Sequence, residues 1–207
     1  MSTEASMPWA SEPAGQPNEQ PNEQPTVTLD DIAEWFTRRV GRELGPSPWH
    51  EVTPEAVRGF ADATHDWQAI HLDAERAASG PYGVPVAHGF YTLGLIPYLT
   101  STLFDPSWID VALNYRLDRV RFLTAVPVGS RVRALARVSG VRVRPRGYLE
   151  VVLAVSLMVE GAEQPACTLD HTRLYTMRPD ASLPVDGPVP RVMYPPERPA
   201  PADSPTP

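Results

Sequence analysis

The chain has 207 residues, and its proline-rich ends leave about 150 for folding, the size of one domain around one core. A net charge of −7 excludes nucleic-acid binding driven by overall positive charge, and the single cysteine, Cys167, excludes an intrachain disulfide. The opening residues lack a basic-then-apolar leader, and no run reaches the ~18 apolar residues of a membrane helix, so the expected location is cytoplasmic.

Residues 1–26 contain the duplication QPNEQPNEQP and almost no large apolar side chains, so they are expected to form a disordered tail. Thr28 then precedes LDDIAEWFTRRVGREL, with Asp30 and Asp31 in the first turn and Ile32, Trp35, Phe36, Val40 and Leu44 on one face. This spacing predicts an amphipathic helix ending at Gly45-Pro46. Thr53-Pro54 has the form of an N-cap followed by proline at the first helical position, opening a second helix over PEAVRGFADAT that delivers Asp66 just past its end. His88 to about Phe104 is apolar nearly all round, as in a helix buried on most sides, and Pro97 inside it should kink or interrupt it. After Trp108, the runs DVALNYRLDRVRFL, RVRALARVSGVRVR, YLEVVLAVSLMVEG and PACTLDHTRLYTM predict four strands, whose short links favour antiparallel pairing. Together these elements make an α+β domain over 27–178. The segment 179–207 reads as an extended proline-rich tail in which Val192, Met193 and Tyr194 could dock on the domain.

Chemistry concentrates between Asp66 and Gly89. Asp66 and His71 stand five residues apart, and such a pair can hold one water, because ionised Asp only accepts hydrogen bonds while His can donate one and accept another. By spacing alone, the commoner fate of such a pair is a helix-terminal carboxylate and a hydrogen-bonded structural histidine. A backbone N–H near Gly89, if a helix starts there, can meet charge developing on a substrate carbonyl; otherwise Gly89 is simply small for packing. Gln68 either holds the Asp66–His71 loop, touches substrate or is a solvated amide, and Tyr82 and Gly83 form either a generic turn or a loop against the substrate. His65, Asp66, His71 and Asp73 include metal-ligand types, but no cysteine lies near them, and no metal is expected. The six arginines of residues 131–146 alternate as the solvent face of a hairpin would; the functional alternative is that Arg142 and Arg144 dock a coenzyme A or carrier phosphate. His171 lies four residues after Cys167, yet no base adjoins the thiol, and no nucleophile elbow, phosphate-binding loop or dinucleotide fingerprint occurs.

The spacing of Asp66, His71, His88 and Gly89 resembles the signature of the MaoC-like, (R)-specific enoyl-CoA hydratases. A wider match from VGRELGPSPWHEVT to QPAC points to the nodulation-protein-N-like branch, so the resemblance covers about residues 28–177. It implies a single hotdog domain, an antiparallel sheet wrapped around a long central helix. It also implies a lyase that adds or removes water across the 2,3-double bond of an enoyl thioester to give the (R)-3-hydroxyacyl product. In that scheme Asp66 and His71 are catalytic, Gly89 is the oxyanion donor, His88 supports the turn, and Tyr82 and Gly83 shape the loop over the acyl chain. No cofactor is implied; the partners are an acyl-CoA or acyl-carrier thioester and a second copy in a homodimer with the acyl pocket at its interface. The chain departs from the pattern at His65, where the family has glycine before the Asp, at Pro97, where the best-understood hydratases carry serine, and at Arg116, where glycine often follows Asn-Tyr. His65 and Pro97 motivate an alternative, a tailoring dehydratase or cyclase of polyketide-type metabolism. A further alternative is a non-catalytic acyl-binding hotdog subunit.

Overall fold

Thr28 opens the first helix as a capping box: its hydroxyl accepts from the Asp31 amide at 3.2 Å, and the Asp31 carboxylate accepts from the Thr28 amide at 2.8 Å. The computed structural model describes residues 27–185; the expectations for residues 1–26 and for Val192, Met193 and Tyr194 lie outside the described residues. Helix α1 spans Leu29–Thr37 and buries Ile32, Trp35 and Phe36. It stops well before the expected end at Gly45-Pro46. Gly41, at φ 81°, sends its amide to the Val138 carbonyl at 2.8 Å, and Glu43–Leu44 become a short strand, β1. Val40 and Leu44 mimic helical spacing because both meet β4 four residues apart, Val40 beside Val138 as an exposed bridge residue and Leu44 beside Ala136 as a buried one.

The second helix, α2, is Pro54–Thr64, with the Thr53 hydroxyl accepting from the Ala56 amide at 3.2 Å as its proline-led start predicts. Two short helices follow, α3 at Ala69–Leu72 and α4 at Ala74–Ala78. The expected long apolar helix is broken into α5, Gly89–Gly94, and α6, Ile96–Thr100, with Pro97 in the first turn of the second piece. It is also less enclosed than expected, for Phe90 is 70% exposed.

The sheet follows the four predicted strands closely: β3 Ile109–Phe122, β4 Arg131–Arg144, β5 Tyr148–Val159 and β6 Cys167–Met177. With β2 at His50–Glu51 also on β4, its order is β1-β4-β5-β6-β3, antiparallel throughout. In β5 every second residue from Leu149 to Val159 is buried, and this face packs with Ile32, Phe36, Ile96, Leu99, Leu103 and Phe104 in one core. Each such side chain contributes about 1.5–3 kcal/mol on burial, so a helix as short as α6 is held by packing, not by its own hydrogen bonds. The result is the single α+β hotdog domain that the resemblance implies, its central helix in two pieces. One edge of the sheet is short, two-residue β1. The other is β3, fourteen residues long, with Val111, Leu113, Tyr115 and Leu117 exposed.

Candidate active site

Helix α2 ends on His65, which takes the left-handed conformation at φ 60°, ψ 26° and so turns the chain to present Asp66. A helix C-terminus of this kind favours glycine, because a Cβ there meets the carbonyl; that is a physical reason for the glycine that the resemblance implies here and for strain at this histidine. The imidazole is exposed and stands edge-on to Trp67, with ring centroids 5.0 Å apart. His65→Gly is expected to stabilise the domain by about 1 kcal/mol, raising Tm by roughly 2–4 °C. Thermal melting beside the wild type checks this, and a fall in Tm would mean that the Trp67 contact outweighs the backbone strain.

Residues 85–88 are clamped from two sides. The Val86 amide donates to the Ile70 carbonyl at 3.0 Å, the Ala87 amide to the Val126 carbonyl at 2.8 Å and the Val128 amide to the Pro85 carbonyl at 3.0 Å. This clamp sets His71, on α3, whose Nδ1 lies 2.6 Å from the Val86 carbonyl oxygen. A carbonyl only accepts, so Nδ1 carries the hydrogen and Nε2 is left for other work. His88 is buried, and its Nε2 donates to the Asp66 backbone carbonyl at 2.9 Å. The rings of His71 and His88 lie 3.7 Å apart between centroids. One carboxylate oxygen of Asp66 and one nitrogen from each histidine all fall within 4.8 Å of one another. The Gln68 side-chain amide, donating to Asp66 Oδ1 at 3.0 Å, holds the carboxyl below its ordinary value, with the charges of His88 and His71 acting in the same direction. His65 and Asp73 stand outside this group, and the Asp73 carboxylate instead caps α4 by accepting from the Arg76 amide at 3.0 Å. A carboxylate with two imidazoles has the composition of a divalent-cation site, but it equally suits one water held between the carboxylate and a ring nitrogen.

Gly89 is the first residue of α5, where an amide has no acceptor within the helix. The Phe122 ring covers it so closely that a Cβ would sit 3.1 Å from the ring. A cleft of about 490 Å³ runs past His71, Tyr82, Gly89, Thr92, Phe122 and Ala166. Of the expected site residues, Asp66, Gln68, His71, His88 and Gly89 come together here, and Tyr82 reaches the cleft as a half-exposed wall. Gly83, at φ 72°, is an exposed turn residue that does not line it. Phe122 and Ala166 were not legible as site residues, since each is an ordinary strand-end side chain until the sheet closes over α5. Arg142 and Arg144 are not brought to the site. The cleft meets the sheet where β3 ends and β6 begins, at Phe122 and Cys167, whereas the two arginines sit at the end of β4 paired with the start of β5. Arg144 forms an ion pair with Glu150, and Arg142 is exposed. The solvent-face reading of this hairpin therefore fits. Cys167 is buried and its thiol pushed up by desolvation, while His171 bonds Asn114, so no thiol nucleophile forms.

Residues 35–157 match the pattern that defines the MaoC-like domain. The chain is 42% identical to a 3-hydroxyacyl-thioester dehydratase Z of Mycobacterium tuberculosis over 72% of its own length and 97% of that protein. It is 39% identical to Nodulation protein N of Rhizobium leguminosarum bv. viciae, covering 69% of this chain and 89% of the relative. Among solved structures, an (R)-hydratase from A. caviae superposes with a TM-score of 0.54 at 21% identity, over 67% of this chain and 96% of that one, a likeness of fold. Among the described residues, no helix is long and apolar enough to cross a membrane.

Proposed function

This chain belongs to the MaoC-like domain family, and from that premise we propose that it is a hydratase/dehydratase of acyl thioesters, adding water to a 2,3-enoyl thioester to give the (R)-3-hydroxyacyl product. The carrier is coenzyme A or an acyl carrier. The observation that carries the reading is the convergence of the Asp66 carboxylate and the His71 and His88 rings within 4.8 Å, beside the first amide of α5. In hydration, water bridges Asp66 and His71. Its oxygen bonds to C3 as Asp66 takes one proton, protonated His71 delivers a proton to C2, and the Asp66 carboxyl then returns its proton to the ring. The Gly89 amide meets the thioester oxygen as enolate charge builds, a kind of donor worth about 3 kcal/mol when removed. The thioester already acidifies C2, so no metal or cofactor is needed. His88 acts through Asp66, anchoring its carbonyl.

The test is the pH profile of wild-type hydration of a short enoyl-CoA, followed by loss of enoyl absorbance with chiral analysis of the product. Asp66 must be ionised to act, and its carboxyl is held low, so the acid limb of kcat/KM should lie below the ordinary carboxylate range. Gln68→Leu removes the largest of the lowering contacts and should move that limb to higher pH, while dialysis against a chelator should leave the rate unchanged. An (S) product, or a profile indifferent to Gln68, would count against this assignment. A second reading, a dehydratase acting on larger polyketide-like substrates, is favoured by Pro97, which lines a second recess one step along the helix.

A further inference from the structure

We propose that the recess between α5–α6 and the β3–β6 edge is a second substrate subsite that accepts a hydroxyl group carried on the acyl chain, with His171 and Asn114 as specificity-determining residues. The proposal rests on the thioester reading above. The recess, about 280 Å³, is walled by Phe90, Leu93, Pro97 and Leu117, and its polar side chains are Asn114 and His171. His171 is 1% exposed on β6, and its Nε2 lies 3.1 Å from Asn114 Oδ1. Facing an acceptor, Nε2 carries the hydrogen of a neutral ring, so Nδ1 bears the lone pair. Nδ1 is buried and has no hydrogen-bond partner. Burial, with the nearby Arg173 charge, lowers the ring's pKa to about 4, so near neutral pH that lone pair persists. An apolar recess edged by the Asn114 amide, with an unsatisfied ring acceptor just behind its wall, suits a hydroxyl, which accepts from the amide and, on a small turn of the ring, donates to Nδ1; a hydrocarbon leaves the acceptor bare.

The occupant follows from the nearness of the catalytic cleft. Phe90 of the recess and Phe122 of the cleft stand side by side, with ring centroids 6.0 Å apart. Gly89 opens the helical segment at the thioester end and Pro97 lies eight residues on, a span of roughly 12 Å at helical rise. A medium-length chain held by its carbonyl at Gly89 can thus place its far end beside His171.

The experiment compares trans-2-decenoyl-CoA with its ω-hydroxylated counterpart in wild type, His171→Phe and Asn114→Ala. Wild type should favour the hydroxylated chain about tenfold or more in kcat/KM, chiefly through KM. In both variants the ratio of kcat/KM for the two chains should fall to about one, and Asn114→Ala, on an exposed strand position, serves if the buried His171 change impairs folding. In parallel, ω-hydroxydecanoic acid, but not decanoic acid, should shift the His171 Nδ1 resonance in ¹⁵N NMR. Equal kcat/KM for the two thioesters overturns the subsite, as does a preference that survives in both variants. If wild type hydrates neither thioester, the hydration reading falls, and the ring resonance alone decides: a shift sustains the subsite and no shift overturns it.

Discussion

Asp66→Asn and His71→Gln are each expected to lower kcat for enoyl-thioester hydration by about 10²–10⁴-fold, the range for losing a positioned general acid or base. Both changes nearly preserve shape. An asparagine at the position of Asp66 can still meet the Gln68 amide through its carbonyl oxygen, and a glutamine at the position of His71 can still donate to the Val86 carbonyl, so the clamp on residues 85–88 should persist. Melting temperatures within a few degrees of wild type would show that chemistry, not folding, was removed. Turnover near the wild-type level in either variant would refute the dyad. Loss accompanied by a collapsed Tm would instead assign that residue to the scaffold.

Leu113→Glu is expected to convert a dimer to monomers and remove activity with it. Strand β3 is a fourteen-residue edge whose second side has no neighbouring strand among the described residues, and it exposes Val111, Leu113, Tyr115 and Leu117. Long apolar edges of this kind are normally paired or covered. A two-fold axis across β3 would pair it with its own copy and bring partner surface beside Phe90, Phe122 and Leu123, all of them exposed in the single chain. Each substitution then enters the interface twice, and each uncompensated buried charge costs about 3 kcal/mol or more, roughly a hundredfold in Kd per copy. Light scattering on residues 27–178 gives the mass of wild type and variant, and activity against protein concentration shows whether it tracks association. A monomeric wild-type species with full activity would refute the shared interface.

The strands were the most legible part of the chain because alternation such as Leu149-x-Val151-x-Leu153 reports directly on a half-buried sheet. The start of α2 was equally plain, since threonine and proline stand directly before a helix-forming run, as an N-cap and first helical residue do. The end of α1 was not, because Val40 and Leu44 satisfy a helical period and a sheet contact alike, and only the bond from the Gly41 amide to Val138 decides between them. In the site, the spacing of Asp66, His71 and His88 marked where chemistry concentrates, but their mutual approach depends on the carbonyls of Val86 and Asp66, which carry no side-chain signature. Asn114 and His171 lie 57 positions apart and meet only once β3 pairs with β6.

The two histidine-to-carbonyl bonds also determine how the site comes apart. His71 ties α3 to Val86, and His88 ties the start of α5 back to the turn after α2, so neither the carboxylate, the imidazole nor the first α5 amide can leave its place without freeing the others. Opening of the turn after α2, α3 and the start of α5 is therefore expected to be a single cooperative event, whose amides would share one opening free energy in hydrogen exchange. An environment that loosens this segment should then abolish the geometry all at once.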